Sequence, residues 1–314
     1  MVESEFWLDT RGKTRLWVRK WTPENSARAV VNIVHGMSEH GIRYREFAEF
    51  LCKNGIEVWC ADQRGHGKTA DASINDKDEG GLLGHCGDKK VFFKLLYDIN
   101  SVHNAIRKEH KSIPLFILGH SWGSFLTQAY IELFGKDISG VIMSGTRGPG
   151  GVDIKLGLPF LKFLTILFGV RRRSQFVYNM VFGSSNKPFA PCRTNADWIS
   201  RDEKIVDAYV ADPFCGNLPT IGFFHDLTYI LNQIHRHRHI EKINRALPVY
   251  IFSGSQDPIG KMGKSVTALI KKYNSIGMKD LSYVLYPGAR HECLNEINRE
   301  EVMNNLLSWL EKHI

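Results

Sequence analysis

No run of apolar residues in this chain approaches the roughly 18 that a bilayer-spanning helix needs, so a membrane-crossing segment is not expected. The N-terminus, Met1-Val2-Glu3-Ser4-Glu5, is acidic and leads into no apolar h-region, so a secretory signal is not expected either. Cysteine is sparse. The six residues at 52, 60, 86, 192, 215 and 293 include no C-x-x-C pair, which argues against a zinc site or a disulfide framework and points to reduced thiols in a cytoplasmic protein. Internal repeats and low-complexity segments are absent. Lysine and arginine outnumber acidic residues 41 to 33, a formal charge of +8. No basic run interleaves with aromatics, so nucleic-acid binding is not expected, and the excess charge suits an anionic lipid surface or nothing specific. His235, His237 and His239 alternate with arginines but bring no carboxylate or cysteine ligand pattern, and read as a solvated basic face. Gly65-His66-Gly67 lacks the Lys-Ser/Thr of a phosphate-binding loop and reads as a turn.

What is present is a regular alternation of short apolar runs with helical patterns. Phe6-Trp7-Leu8 and Arg15 to Trp21 read as N-terminal strands, the second half-exposed. Ala29 to Val34, Ile56 to Ala61, Pro114 to Leu118 and Ile138 to Ser144 are almost continuously apolar, as strands covered on both faces are. Helices are predicted over Tyr44 to Lys53, ending at Asn54-Gly55, over Val91 to Ile106, and after Gly123 with Phe125, Leu126, Ala129, Tyr130 and Leu133 inward. Such βαβ alternation predicts an α/β fold with a mostly parallel sheet and helices on both faces.

The alternation breaks after Gly148-Pro149-Gly150-Gly151. No strand run returns until Leu247 to Phe252, so roughly 100 residues intervene where a crossover needs only a dozen or so. The expected organisation is therefore a core of residues 1–147 and 247–314 interrupted by an inserted cap over residues 148–246. Within the cap, Leu156 to Val170 is rich in Leu and Phe with Lys162 as its only charge, and Arg171-Arg172-Arg173 follows it. One reading is a helix buried against the core; the other is a lid that exposes apolar surface to a membrane or micelle, with the arginines strengthening attachment. Beyond the insertion, Gly260 to Tyr273 reads as a helix, Leu281 to Tyr286 as the last strand, and Val302 to Leu310 as a closing helix.

The chemistry centres on Gly119-His120-Ser121-Trp122-Gly123, a G-x-S-x-G stretch between a buried strand and an amphipathic helix. Glycines at its ends permit the sharp turn that exposes a strained serine, Ser121, as a nucleophile. A serine hydroxyl needs a base and a third group that holds that base in the right tautomer. Asp257, at the carboxyl end of a strand, and His291, in the loop after the last strand, supply them in the chain order Ser, Asp, His and at the sheet edge where ligands collect. Asp212 is a rival acid inside the insertion, while Asp62 precedes the elbow and breaks that order. The amides of Trp122, after the nucleophile, and Met37, after His35-Gly36, are the expected oxyanion donors.

The stretch from Val34 to Thr69, with His35-Gly36, Glu39-His40, Arg43-Tyr44, Asp62 and Arg64-Gly65-His66-Gly67, resembles the monoacylglycerol lipase and lysophospholipase family of α/β-hydrolases. Val206 to Cys215, Gly254-Ser255-Gln256-Asp257 and Arg290-His291-Glu292 extend the resemblance over nearly the whole chain. It implies an α/β-hydrolase fold and a serine esterase that cleaves single-chain acyl lipids, with no metal or organic cofactor. Where that family often has Met-Gly-Gly after the nucleophile, this chain has Trp122-Gly123-Ser124, which reshapes the expected acyl pocket. A peptidase or thioesterase, and a non-catalytic receptor on the same scaffold, remain alternatives at this stage.

Overall fold

In a computed structural model, the structure describes residues 1–11, 13–135 and 137–314. The first half runs β1 (Val2–Asp9), β2 (Arg15–Thr22), β3 (Ala29–Val34), α1 (Arg45–Lys53), β4 (Ile56–Ala61), α2 (Val91–Glu109), β5 (Leu115–His120), α3 (Trp122–Phe134) and β6 (Gly140–Ser144). Five helices follow without a strand: α4 (Val152–Phe168), α5 (Gln175–Phe182), α6 (Glu203–Ala211), α7 (Ile221–Gln233) and α8 (His237–Ile240). Then come β7 (Val249–Gly254), α9 (Lys264–Ser275), β8 (Leu281–Tyr286) and α10 (Arg299–Glu311).

The eight strands form one sheet in the order β1-β2-β4-β3-β5-β6-β7-β8. The pairs β1/β2 and β2/β4 are antiparallel, and the other pairs are parallel. Every residue of β3, β4, β5, β6 and β7 is buried, which explains why those runs are almost continuously apolar rather than alternating, with Asn32 and Glu57 as buried polar exceptions in β3 and β4. One face is covered by α1 and α10, through Phe47, Leu51, Leu306 and Leu310 against Phe116, Leu118 and Phe252. The other is covered by α2, α3 and α9, through Leu95, Leu126 and Leu269 against Ile117, Met143 and Ile251. Each such side chain, wholly removed from water, contributes about 1.5–3 kcal/mol. This is the α/β-hydrolase architecture.

Several boundaries differ from the sequence reading for local reasons. The helix expected from Gly260 begins at Lys264, because Lys261, Met262 and Gly263 all have positive φ, at 52°, 52° and 80°. Leu133 is exposed, and the last inward position of α3 passes to Phe134, which packs on the core four residues after Tyr130. Asn54 ends α1 and Gly55 takes the left-handed φ of 73°, as expected. All six cysteines are unpaired. Among the described residues, no helix is long and apolar enough to cross a membrane.

The segment between β6 and β7 lies over the carboxyl ends of the central strands. Its α4 packs on α7, yet of its 17 residues only Ile154 and Leu161 are buried. Leu156, Phe163, Ile166, Leu167 and Phe168 are exposed, Ile166 to 76%. The reading in which this stretch is core is thereby corrected: α4 presents an apolar outer face. The role expected of the three arginines also changes. Arg171 makes a two-pronged pair with Asp88, at 2.9 and 2.7 Å, and Arg173 donates to the carbonyls of Leu218 and Leu83. Two of the three therefore tie the segment between β6 and β7 to the stretch before α2.

Candidate active site

Strand β5 delivers Ser121 at the tip of a tight turn. Its backbone sits at φ 49° and ψ −119°, a conformation that costs a non-glycine residue of order 1–3 kcal/mol and persists only where the surroundings impose it. They do so here through close contact. A Cβ on Gly123 would lie 1.9 Å from the Val34 carbonyl oxygen, and one on Gly119 would lie 2.3 Å from Thr127 Oγ1. The Ser121 amide donates to the Ser144 carbonyl at 2.9 Å, binding the turn to β6. Ser124 Oγ donates to the Ser121 carbonyl at 2.6 Å and lies 2.8 Å from Thr146 Oγ1.

His291 lies in the loop after β8 and Asp257 in the turn after β7. Their separation of 34 residues closes to 2.9 Å between His291 Nδ1 and Asp257 Oδ1, and His291 Nε2 lies 2.8 Å from Ser121 Oγ. Asp257 is fully buried and accepts further hydrogen bonds from the Ile259 amide, at 2.8 Å, and from Ser253 Oγ, at 3.0 Å. Burial alone would raise its pKa, but the His291 partner and these donors hold it below the ordinary value. For His291, burial disfavours the cation, but the neighbouring Asp257 carboxylate more than offsets this, and the pKa is raised. With Nδ1–H donating to the carboxylate, Nε2 is left as the acceptor for a serine proton.

His120 and Gly145 both pack against the His291 ring. His120 is 4.9 Å away between centroids and is pushed down to about 4, by burial first and then by His291, so it adds no competing cation. Gly145 has a φ of 56°, and a Cβ there would sit 3.0 Å from His291 Cε1. Met37 and Trp122 line the same cavity. The Trp122 amide, first in α3, has no carbonyl one turn back to bond. The Met37 amide makes no turn or loop hydrogen bond to a backbone carbonyl among the described residues.

The cavity has a volume of about 700 Å³ and is lined mainly by side chains of the segment between β6 and β7, among them the apolar Leu156, Phe160, Leu161, Tyr178 and Phe182. On the β3 side it meets a buried ionic group. Arg43 donates to Glu39 at 2.8 Å and to both oxygens of Glu292 at 2.7 Å, while Tyr44 OH donates to Glu39 at 2.9 Å. Burial opposes ionisation of Glu39, yet Arg43 holds its pKa down to about 2. Glu39 Oε1 also accepts from the Gly36 amide, which ties that cluster to the residue before Met37.

The structure brings together Ser121, Asp257, His291, Met37 and Trp122. It does not bring Asp212 to them: Asp212 Oδ2 is 2.8 Å from His40 Nε2. Asp62 instead accepts from Arg19, at 2.7 Å, and from the amides of Gly41 and Lys68. Gly65 packs on the backbone of His85, in keeping with a turn. The basic face holds for Arg236, His237 and Arg238, which are exposed, but His235 is half-buried with Nε2 3.0 Å from Gln128 Oε1, and His239 is half-buried with Nδ1 3.5 Å from the buried Glu132. Among the described residues, two groups have metal-ligand chemistry, His40 with Asp212 and Cys215, and Glu57 with Glu109 and His110. The first is engaged in its own hydrogen bond, and Lys20 bridges the second. Sequence reasoning missed Trp198, whose ring lies 5.0 Å from that of His291, and Arg147 and Asp153 in the cavity wall. Trp198 lies in the insertion without any motif around it, and no sequence signal marks it.

A sheet of this topology with a serine at the elbow defines an α/β-hydrolase. More narrowly, the chain belongs to the family described as serine aminopeptidase, S33, whose model matches residues 25–298. It is 26% identical over 307 residues to a monoacylglycerol lipase of Mycolicibacterium smegmatis, covering 96% of this chain and 95% of that one. It is 30% identical over 298 residues to a monoglyceride lipase homolog of Monkeypox virus, covering 94% of each. Among solved structures, a highly thermostable carboxyl esterase from Bacillus coagulans, in complex with glycerol, superposes with a TM-score of 0.89 at 27% identity, covering 100% of this chain and 99% of that one.

Proposed function

We propose that this protein is a serine carboxylester hydrolase that cleaves the acyl ester of single-chain glycerolipids, with residues 148–246 acting as the cap over its acyl pocket. Ser121 Oγ attacks the ester carbonyl as its proton passes to His291 Nε2, and the amides of Met37 and Trp122 receive the oxyanion. Collapse of the tetrahedral adduct breaks the ester bond, and His291 returns the proton to the leaving alcohol. Water, deprotonated by the same imidazole, then releases the acid and restores Ser121. Asp257 keeps Nδ1 protonated and stabilises the imidazolium. The single observation that carries this reading is the unbroken chain Asp257–His291–Ser121, at 2.9 and 2.8 Å, opening onto a large apolar cavity. The monoacylglycerol lipases among its relatives support the choice of lipid.

The test pairs a fluorophosphonate probe with a substrate panel. The wild-type protein takes up the probe, Ser121→Ala does not, and Ser121→Ala loses about 10⁴ to 10⁶ in kcat. On the panel, 1-oleoylglycerol should exceed lysophosphatidylcholine and an aminoacyl amide. Turnover of the amide alone would make the protein a peptidase; absence of both labelling and turnover would make it a non-catalytic member of the fold.

A further inference from the structure

Strands β3 and β6 flank β5 on opposite sides, so the loops leaving them form opposite walls of the cavity around Ser121. The two walls carry opposite charge. On the β3 side stand Glu39 and Arg43, joined by Glu292 from the loop after β8, two acids to one base. On the β6 side stand Arg147, three residues beyond β6, and Lys261, in the loop beyond β7, with Asp153 between them, two bases to one acid. Arg147, Asp153 and Lys261 all line the cavity.

The β6-side group has the features of an anion site held by an internal substitute. Arg147 is largely buried, its side chain 14% exposed, and its Nε has no hydrogen-bond partner. One of its terminal nitrogens, Nη2, donates to Asp153 Oδ2 at 3.0 Å, and Lys261 Nζ lies 3.8 Å from the same oxygen. The other Asp153 oxygen accepts from the Gly151 amide at 2.9 Å. Asp153 sits in the first turn of α4 with its side chain 46% exposed, so water reaches it. Arg147 is tethered, its carbonyl accepting from Gln128 Nε2 at 3.2 Å. A guanidinium with a free N–H offers a fork for a carboxylate or phosphate, and an ammonium beside it adds a second donor. Neither charge serves the hydrolysis of a neutral glyceride.

Resting on the hydrolase reading above, we propose that Arg147 and Lys261 form a specificity site for an anionic group of the ester, displacing Asp153. The ligand chemistry is a set of anionic oxygens, which a substrate can carry as a phosphate on its alcohol or as a carboxylate at the far end of its acyl chain.

The experiment separates binding from turnover. Binding of dodecyl phosphate, dodecanedioic acid monomethyl ester and dodecanol to full-length Ser121→Ala protein is measured by calorimetry, alone and with Arg147→Met, Arg147→Lys, Lys261→Met or Asp153→Asn added. Dodecyl phosphate reports the phosphate source and the half-ester the carboxylate source. We expect at least one anionic ligand to bind more tightly than dodecanol, and Arg147→Met to cut that preference about 10- to 100-fold, the size of a lost charge-assisted pair. Lys261→Met cuts it less, Arg147→Lys restores part of it, and Asp153→Asn raises it by removing the competitor. In active protein, the ratio of KM for 1-oleoylglycerol to KM for 1-oleoyl lysophosphatidic acid or a dicarboxylate half-ester moves the same way while kcat moves less. A purely structural ion pair predicts that Arg147→Met and Asp153→Asn act in the same direction on all three ligands, and that result, or equal binding of the three, overturns the proposal. Loss of all turnover with the binding preference intact overturns the hydrolase reading instead.

Discussion

Trp198, in the segment between β6 and β7, lies with its ring 5.0 Å from that of His291 at an angle of 35°, and its carbonyl accepts from the His291 amide at 3.4 Å. The element that covers the pocket thus also braces the candidate base. Small displacements of a catalytic group are costly, because the reacting atoms must sit within a few tenths of an ångström of their productive positions. Trp198→Ala is expected to lower kcat about tenfold or more on a short soluble ester and on a long-chain lipid alike. If only the lipid substrate suffered, Trp198 would be an acyl contact and not a brace.

The hydrogen-bond partners of the two acids predict different fates for their amides. Asp257→Asn favours the wrong His291 tautomer and should cost about 10⁴-fold in kcat. Asp212→Asn alters contacts with His40, the Phe214 amide and Cys215, none of them a member of the Ser121–His291–Asp257 chain, and should cost far less. Steady-state rates of the two purified variants decide it, and a reversal of the order would reassign the acid.

The pH profile follows from the sign of the His291 shift. As a base His291 must be neutral, and its pKa is raised above the ordinary value, so kcat/KM should fall with decreasing pH through a midpoint above that of a free imidazole. Removing the Asp257 charge removes the leading raising influence, so the residual activity of Asp257→Asn should show its acid limb at lower pH. An acid limb left in place by that substitution would mean that the titrating group is not His291.

The outer face of α4 predicts interfacial behaviour. Phe163 and Ile166 are 58% and 76% exposed, beside Leu167 and Phe168, and the neighbouring α5 adds Phe176. A contiguous apolar face of this kind is where a lipid surface would be met. The double variant Phe163→Ser, Ile166→Ser should weaken vesicle co-sedimentation and slow hydrolysis of vesicular long-chain lipid, with a short soluble ester hydrolysed as before. Arg172→Gln should have the only salt-sensitive arginine effect, since Arg171 and Arg173 hold the segment between β6 and β7 to the stretch before α2. Equal losses on soluble and vesicular substrate would show that α4 supports the fold instead.

Much of this was legible before folding was considered. Almost continuously apolar runs at β3, β4, β5 and β6 mark doubly covered strands, because a strand buried on both faces has no side that must be polar. The G-x-S-x-G stretch marked the elbow, because Gly119 and Gly123 stand where backbone oxygens leave no room for a Cβ. Asp257 and His291 were identifiable because each follows a strand at the sheet edge where parallel strands deliver their loops.

Other features depended on contacts between residues far apart in the chain. Leu156 to Val170 had the composition of either a core helix or a lid, and only its packing on α7 left most of it outward. Arg171-Arg172-Arg173 looked like a free basic cluster until Asp88 and the carbonyls of Leu83 and Leu218 supplied partners for two of its members. Local sequence determined which elements form and which residues stand at the strand ends, since propensity, periodicity and turn sterics act over a few neighbours. Tertiary structure alone decided which polar groups find partners, as Asp212 finds His40, and which charges meet in the cavity, as Arg147, Asp153 and Lys261 do, since electrostatic partnership depends on distance in space.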